Sequence, residues 1–247
     1  MTYISLGKRM MTGCVCLGLL TAPLVLVQHS AQAATQTSAS SKAEVRKLLY
    51  ELTTNRNQYA RARAATELGI IADPEALEQL HKSLVTDLST QVRMTSANAI
   101  ARINHKASGK RLLQALIVNR GRTDAQIAII RALGDMKENS RDLVPAILQL
   151  LRSPSPFIRE VAVESLWKIR DPRASKYLVR LLKTEKELVV KLTLCNVIAD
   201  FKEPTSIPVL KKISKKADEP ADVRTLAKDA LEKLEEMGIE AAPEVVH

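Results

Sequence analysis

The stretch PFIREVAVESLWKIRDP, residues 156–172, decides the fold of this chain. With Arg159 taken as position 0, apolar residues stand at positions −1, +3, +7 and +10, which is the spacing of one face of an α-helix. Asp171 and Pro172 follow, and this pair is typical of the end of one helix and the start of the next. The stretch therefore predicts an amphipathic helix that ends before residue 171.

The same pattern recurs along the chain at intervals of 32 or 33 residues. It fits again when position 0 is placed at Arg61, Arg93, Gln126, Lys191 and Arg224. A second set of amphipathic runs lies between these helices, at residues 43–52, 75–84, 109–118, 141–151, 173–182 and 205–213. Each repeat is therefore predicted to be a helical hairpin, and hairpins of this length stack into a solenoid.

These repeats resemble the HEAT-repeat superfamily, in particular the short-repeat branch that includes the phycobilisome-lyase-like proteins. The resemblance covers about residues 43–238 and is carried by Val92-Arg93 with Ile100, Ile158-Arg159 with Leu166, Val223-Arg224 with Leu231, Leu68-Gly69 with Asp73-Pro74, and Asp171-Pro172. The chain departs from the pattern at Gln126 in the basic column, and at His105 and Glu138, where other repeats carry Asp.

The resemblance implies an all-α fold, a right-handed α-solenoid of about six HEAT-like helical hairpins whose second helices line a concave groove. Composition agrees, because only 3% of the 247 residues are aromatic and eight are glycine, while 46% are hydrophobic. The resemblance does not choose a function, since the superfamily contains scaffolds, chromophore lyases and a metal-dependent hydroxylase.

The N-terminus has the pattern of a secretory signal peptide. Lys8 and Arg9 precede an apolar run over about residues 10–27, and Ala31-Gln32-Ala33 offers small residues for cleavage. We expect a signal peptide at 1–33, a flexible polar tether at 34–42, the solenoid at 43–238 and a C-terminal tail at 239–247. The protein would then be periplasmic or secreted, and the alternative is an uncleaved N-terminal membrane anchor.

The one cysteine that would remain after cleavage is Cys195, so no intramolecular disulfide is expected. It stands next to a core column of its repeat, which predicts a buried and unreactive thiol.

The basic residues at position 0 have two interpretations. In three repeats an acid stands six residues earlier, which suggests a structural ladder of pairs, Asp87 with Arg93, Glu185 with Lys191, and Asp218 with Arg224. The resemblance implies a comparable Asp/Arg ladder between neighbouring repeats. Anion binding is the alternative, and Arg159 favours it because its repeat has Ser153 in place of the acid.

A helical wheel places positions +1, +5 and +8 of the second helices farthest from the core, and many of these residues are apolar. The candidate partner-binding residues along this ridge are Trp167, Met94, Ile127, Leu192 and Arg131. Trp167 is expected to project into the groove between Gly134 and Ala199, whose small side chains leave room for a guest. The alternative is that Trp167 packs against a neighbouring helix.

A second candidate surface is electrostatic. No acid occurs between Asp87 and Asp124, whereas Arg102, Lys106, Lys110 and Arg111 fall around one predicted loop between repeats. Such a cluster would attract an acidic protein, an anionic lipid or a polyanionic glycan. The alternative is an ordinary solvated surface. Nucleic acid is disfavoured, because no aromatic residues that stack on bases are interleaved.

No catalytic motif is apparent. The chain has no HExxH, GxSxG or glycine-rich phosphate loop, and none of its four histidines is followed by Glu, as the iron-binding HEAT-like hydroxylases would require. We therefore expect no cofactor and no metal. The resulting hypothesis is an exported scaffold or adaptor, not an enzyme, that binds an acidic or envelope-associated protein through its groove. The alternative is a HEAT-like enzyme or enzyme subunit of the phycobilin-lyase type.

Overall fold

A computed structural model describes residues 41–241 of the chain, and all regular structure in that range is helical. Helix α1 runs from residue 41, where the described part begins, to residue 54. The others are α2 (Gln58–Ile71), α3 (Leu77–Thr86), α4 (Thr90–Ile103), α5 (Ser108–Val118), α6 (Thr123–Asp135), α7 (Val144–Leu150), α8 (Pro156–Ile169), α9 (Ser175–Thr184), α10 (Leu188–Val197), α11 (Ser206–Lys215) and α12 (Ala221–Glu236). The predicted all-α solenoid is confirmed.

The tether boundary and the start of α7 differ from the sequence prediction, other helix ends shift by one or two residues, and the termini fall outside the description. Residues 41 and 42, which we had assigned to the tether, are helical. Helix α7 begins at Val144 because a 3-10 segment, Lys137–Leu143, occupies the residues expected to open it. The predicted signal peptide, residues 34–40 of the tether and residues 242–247 of the tail lie outside the described residues.

The repeats are hairpins in which odd-numbered helices are the first helices and even-numbered ones the second. The second helices pack against one another in succession from α2 to α12. Every residue in the four predicted apolar columns is buried or half-buried, which is why the 32-residue pattern is readable in the sequence.

Two of the predicted capping carboxylates hold the loops between repeats through hydrogen bonds to backbone amides. The carboxylates of Asp73 and Asp171 accept hydrogen bonds from the backbone amides two residues later, each at 2.9 Å. His105 performs the same task where Asp is missing, since its Nδ1 accepts from the amide of Ala107 at 3.3 Å. The following turn is therefore supported in all three repeats.

A left-handed backbone residue follows each of the first five second helices and was not foreseen. These residues are Ala72 (φ 58°), Asn104 (51°), Lys137 (49°), Arg170 (54°) and Lys202 (51°). They occupy the same place in each repeat, where the chain reverses toward the next first helix. Only asparagine favours this conformation, so each of the others costs about 1 kcal/mol that packing between repeats must offset.

The charged ladder exists, but its pairs cross from one repeat to the next. Arg61 binds the carboxylate of Asp87, and Arg159 binds that of Glu185, each through two hydrogen bonds of 2.8–2.9 Å. Lys191 binds Glu219 at 2.8 Å. Three of these side chains belong to hairpin turns of the following repeat, so the pairs connect neighbouring hairpins.

The predicted pairs within repeats are therefore wrong. Arg93 donates to the backbone carbonyl of Asp87 at 2.7 Å, not to its carboxylate, which Arg61 occupies. Arg224 donates to the carbonyl of Ala217, and Asp218 pairs with Lys216 at 3.0 Å. Arg93 and Arg224 thus reach backbone carbonyls of their own hairpin turns. The acids that bind cations of the preceding repeat are Asp87, Glu185 and Glu219.

Asn119 continues the ladder where no acid is available. Its side-chain oxygen accepts from Arg93 at 2.8 Å, and its amide group donates to the carbonyls of Leu84 and Ala115. Both Arg93 and Asn119 are buried, and burial lowers the pKa of the Arg93 guanidinium. A neutral side chain thus satisfies a buried cation with the help of backbone oxygens.

Candidate partner-binding surface

The candidate surface is the second-helix face, which we define as the outward side of α2, α4, α6, α8, α10 and α12. Position +5 is exposed in most repeats, as the wheel predicts, but position +8 is buried in four of them. A Cβ atom added to Gly69 would lie 2.7 Å from the Cα of Ala99, and one added to Gly134 would lie 2.7 Å from the Cα of Ser165. Small residues at +8 therefore let neighbouring second helices approach closely, and leave no room for a guest.

Trp167 occupies position +8 where the preceding repeat has glycine. Its ring is half-buried, and its indole N–H donates to the carboxylate of Asp200 in the next repeat at 2.6 Å. Burial raises the pKa of Asp200, but hydrogen bonds from Lys233 and Trp167 outweigh this and hold it below the ordinary range. Trp167 thus packs onto the neighbouring helix, the alternative we had left open, while part of it faces solvent.

A pocket adjoins the exposed part of Trp167. It encloses about 500 Å³ between α8, α10 and α12, and it contains the apolar side chains of Leu192, Val197 and Leu226 beside the indole. The polar side chains around it are Glu164, Lys168, Thr193 and Asn196. An apolar floor with a polar rim is the usual composition of a site that receives an apolar side chain of a partner.

The other apolar candidates lie in one row at position +1. Met94, Ile127 and Leu192 are each half-buried, and all three pack against the core. Only Leu192 belongs to the Trp167 pocket. Glu160 occupies the same row between Ile127 and Leu192, and burial raises the pKa of its carboxyl, helped by the charge of Glu164. A carboxyl therefore interrupts the apolar row between Ile127 and Leu192.

Ion pairs between repeats cross the second-helix face. Arg131 lies 3.8 Å from Glu164, and Lys168 lies 2.7 Å from Asp135. Both pairs join residues 33 positions apart, as does the contact of Lys233 with Asp200. Arg131, proposed from the sequence as a partner-binding residue, is thus exposed but already faces a carboxylate.

The structure separates the predicted basic cluster into parts. Arg111 binds Glu78 on α3 through two hydrogen bonds of 2.8 and 3.2 Å, and Arg102 lies on α4 toward Gly69. Only Lys106 and Lys110 lie together, in a cleft that also contains Asp142. The loop therefore presents fewer unpaired cations than the sequence suggests.

Two reactive side chains are buried away from this surface. The Cys195 thiol is buried, which together with Glu219 raises its pKa to about 12, and it forms no disulfide within residues 41–241. His81 is also buried, and burial, assisted by Arg111, lowers its pKa to about 4. Both groups are uncharged near neutral pH, and neither reaches the second-helix face.

The described residues contain no cluster of His, Cys, Asp or Glu side chains with the arrangement of a metal site. In the same part of the chain, no helix has the length and apolar composition needed to cross a membrane.

Comparison with solved structures gives matches of low sequence identity. An engineered protein of known structure is 22% identical, with a TM-score of 0.51, over 81% of this chain and 99% of its own. The complex of CpcE and CpcF of phycocyanin lyase from Nostoc is 16% identical, with a TM-score of 0.46, over 94% of this chain and all of the other. No curated protein sequence matches significantly. These likenesses concern the fold alone.

The sequence profile of HEAT repeats matches residues 45–123 and 110–196, which is more than half of the chain. These matches include α2 through α8 and the charged ladder that joins their hairpins. With twelve helices in the described range arranged as stacked hairpins, the chain belongs to the family of HEAT-repeat proteins.

Proposed function

We propose that this protein is a scaffold or adaptor that binds another protein through its second-helix face. The observation that carries the proposal is the pocket beside Trp167, an open apolar recess on a face that is otherwise closed by tight helix packing. A partner would insert a large apolar side chain between Trp167, Leu192 and Leu226. The proposed activity is binding, and no residue is assigned a catalytic role.

The rigidity of the surroundings supports this role. The hydrogen bond from Trp167 to Asp200 fixes the indole, and Lys233 holds the same carboxylate from α12. Three successive repeats thus set the shape of the recess before a partner arrives. Pre-formed sites of this kind bind with a smaller loss of conformational entropy than flexible ones.

The charge of the chain suggests the chemistry of the partner. The formal net charge is +10 at pH 7, or +8 without residues 1–33, which contain two cations and no acid. A protein of opposite charge would therefore be attracted before the two surfaces touch. We therefore propose an acidic partner, with the Trp167 pocket as the apolar anchor. Export guided by the N-terminal segment would place the encounter in the periplasm or outside the cell.

Asn196 offers a direct test because its exposed side chain lines the pocket without supporting the core. In affinity capture from native extracts, Asn196→Arg should remove the specifically retained partner, because the long side chain would fill the recess. The matched control is Asn98→Arg, an exposed asparagine at the same position of α4. Loss with both variants, or with neither, would contradict the proposed anchor.

A further inference from the structure

The first helices of the last two described hairpins, α9 and α11, form a face with charge of a single sign. Neither helix contains an acidic residue, and all six of their cations are exposed. None of the six takes part in an ion pair within residues 41–241. These residues, which we call the α9/α11 basic face, are Lys176, Arg180, Lys183, Lys211, Lys212 and Lys215.

The arrangement is regular. Lys176, Arg180 and Lys183 follow one another at i, i+4 and i+7, and therefore share one side of α9. Arg180 and Lys183 have counterparts exactly one repeat later, 32 residues on, in Lys212 and Lys215. The first helices of successive hairpins pack side by side, so the cations form two parallel rows.

Neighbouring helices do not continue this face. Helix α7, with the sequence VPAILQL, has no charged residue, and Arg111 on α5 is engaged by Glu78. Two acids at the edges are already engaged: Glu203 accepts from Ser175 and Thr205, and Asp218 pairs with Lys216. The α9/α11 basic face thus lies on the first-helix side of the last two hairpins, opposite the proposed protein-binding face.

A recess between the two rows adds a second, independent feature. It encloses about 420 Å³, with Leu182, Val209 and Ile213 at its floor. Lys183, Lys212 and Lys216 lie around it. The two carboxylates in its lining are already occupied, since Glu185 binds Arg159 and Glu219 binds Lys191. The recess therefore suits a ligand whose anionic group meets the surrounding lysines and whose apolar part contacts the floor.

From these observations we propose that the α9/α11 basic face contacts an anionic lipid bilayer. Five of its six cations are lysines, which act as point charges on flexible stems and suit a diffuse negative surface, whereas defined carboxylate recognition favours the arginine fork. Tyr177 is 47% exposed beside the lysines on α9, and tyrosine is enriched at the boundary between lipid and water. Basic pockets between transmembrane helices bind anionic headgroups, and this recess offers comparable chemistry at a surface.

This inference is independent of the proposed function, because the two surfaces lie on opposite helices of each hairpin. Together they would hold a bound protein at a membrane surface without any contact between the two sites. Loss of one activity would leave the other measurable, so the two proposals can fail separately.

The test is flotation of the full-length protein with phosphatidylcholine vesicles that contain or lack phosphatidylglycerol. The N-terminal segment, which carries Lys8 and Arg9, is the same in the wild type and in every variant, so the comparison among them isolates the contribution of the α9/α11 basic face. The protein should float preferentially with the anionic vesicles, and high salt should abolish the preference, since the screening length falls from about 10 Å at 0.1 M to about 3 Å at 1 M.

Two triple variants with equal charge change locate the contact. Each cation near an anionic surface changes the partition coefficient about fivefold, so Lys183→Gln with Lys212→Gln and Lys215→Gln should lower it about 100-fold. The control, Arg102→Gln with Lys106→Gln and Lys110→Gln, should stay within about fivefold of the wild type. Circular dichroism melting curves check that both variants are folded.

Three results would overturn the proposal. The first is no preference for anionic vesicles, and the second is an equal decrease with both triple variants, which would indicate net charge alone. The third is binding of soluble polyglutamate, lost in the first variant, with no binding to anionic vesicles. That result would identify the face as a site for an acidic protein instead.

Discussion

Glu185→Gln should lower the free energy of unfolding by about 3 kcal/mol, whereas Glu78→Gln should lower it far less. Both carboxylates bind an arginine of another repeat through two hydrogen bonds, and both substitutions keep the shape of the side chain. The pairs differ in exposure: 14% and 4% for Arg159 and Glu185, but 41% and 81% for Arg111 and Glu78. Removal of a buried charge leaves its partner unpaired, whereas water replaces an exposed one.

Equilibrium unfolding in urea, followed by circular dichroism, measures both changes. The pair Arg159→Gln with Glu185→Gln completes a double-mutant cycle, and the coupling energy should exceed about 1.5 kcal/mol. Equal losses for Glu185→Gln and Glu78→Gln would refute the reasoning, because burial could then not be what gives the ladder its strength.

The pH dependence gives the same prediction a second test. Burial raises the pKa of Glu185, but hydrogen bonds from Arg159 and from the amides of Glu187 and Lys186 outweigh it and bring the pKa below the ordinary 4.5. The stabilisation is therefore complete above the unfolded pKa and is lost as the pH falls through the lower folded value. The difference between wild type and Glu185→Gln should shrink in that acidic range, and a constant difference would contradict the assignment.

Two further predictions concern the core. Burial lowers the pKa of His81 from 6.5 to about 4, so between these values the unfolded chain binds a proton more readily than the folded chain. The free energy of unfolding should therefore be about 2 kcal/mol lower at about pH 5 than at pH 8. His81→Leu should remove that loss, so its unfolding free energy should change less than that of the wild type between pH 8 and about pH 5; parallel pH curves would contradict the burial of a neutral imidazole. Gly134→Ala should lower the unfolding free energy by about 1 kcal/mol or more, despite the better helix propensity of alanine, because its Cβ would lie 2.7 Å from the Cα of Ser165. A stabilised variant in the same urea titration would show that α6 and α8 are not in close contact.

The repeat architecture could be predicted from the sequence because burial and periodicity coincide. A core position in a stacked hairpin recurs every 32 or 33 residues, so columns such as that of Ile100 and Leu166 show the same residue type again and again. The capping carboxylates of Asp73 and Asp171 were equally predictable, since their contacts are local.

Contacts between repeats were not predictable in the same way. A wheel drawn for one helix places position +8 away from its own core, but the next second helix covers that position in the folded chain. Hence Gly134 appeared to offer space that Ser165 in fact fills. The residue type was a usable signal, because glycine within a helix often marks a close approach of two backbones.

The predicted pairing of the charged ladder was wrong for a related reason. Sequence proximity suggested pairs six residues apart, whereas the structure joins residues 26 or 28 apart, such as Arg159 with Glu185 and Lys191 with Glu219. A test of longer spacings would have found Arg61 with Asp87 as well. The left-handed residues carried no signal, because four of the five are not of a type that favours positive φ.

The central claim, that a protein partner docks on the second-helix face, is tested most directly by site-specific photocross-linking in native cells. A photoreactive residue at Asn196, beside the Trp167 pocket, should form one dominant protein adduct, and the same residue at Gln149, exposed on the first helix α7, should not. An adduct of that protein from Gln149 and none from Asn196 would contradict the account.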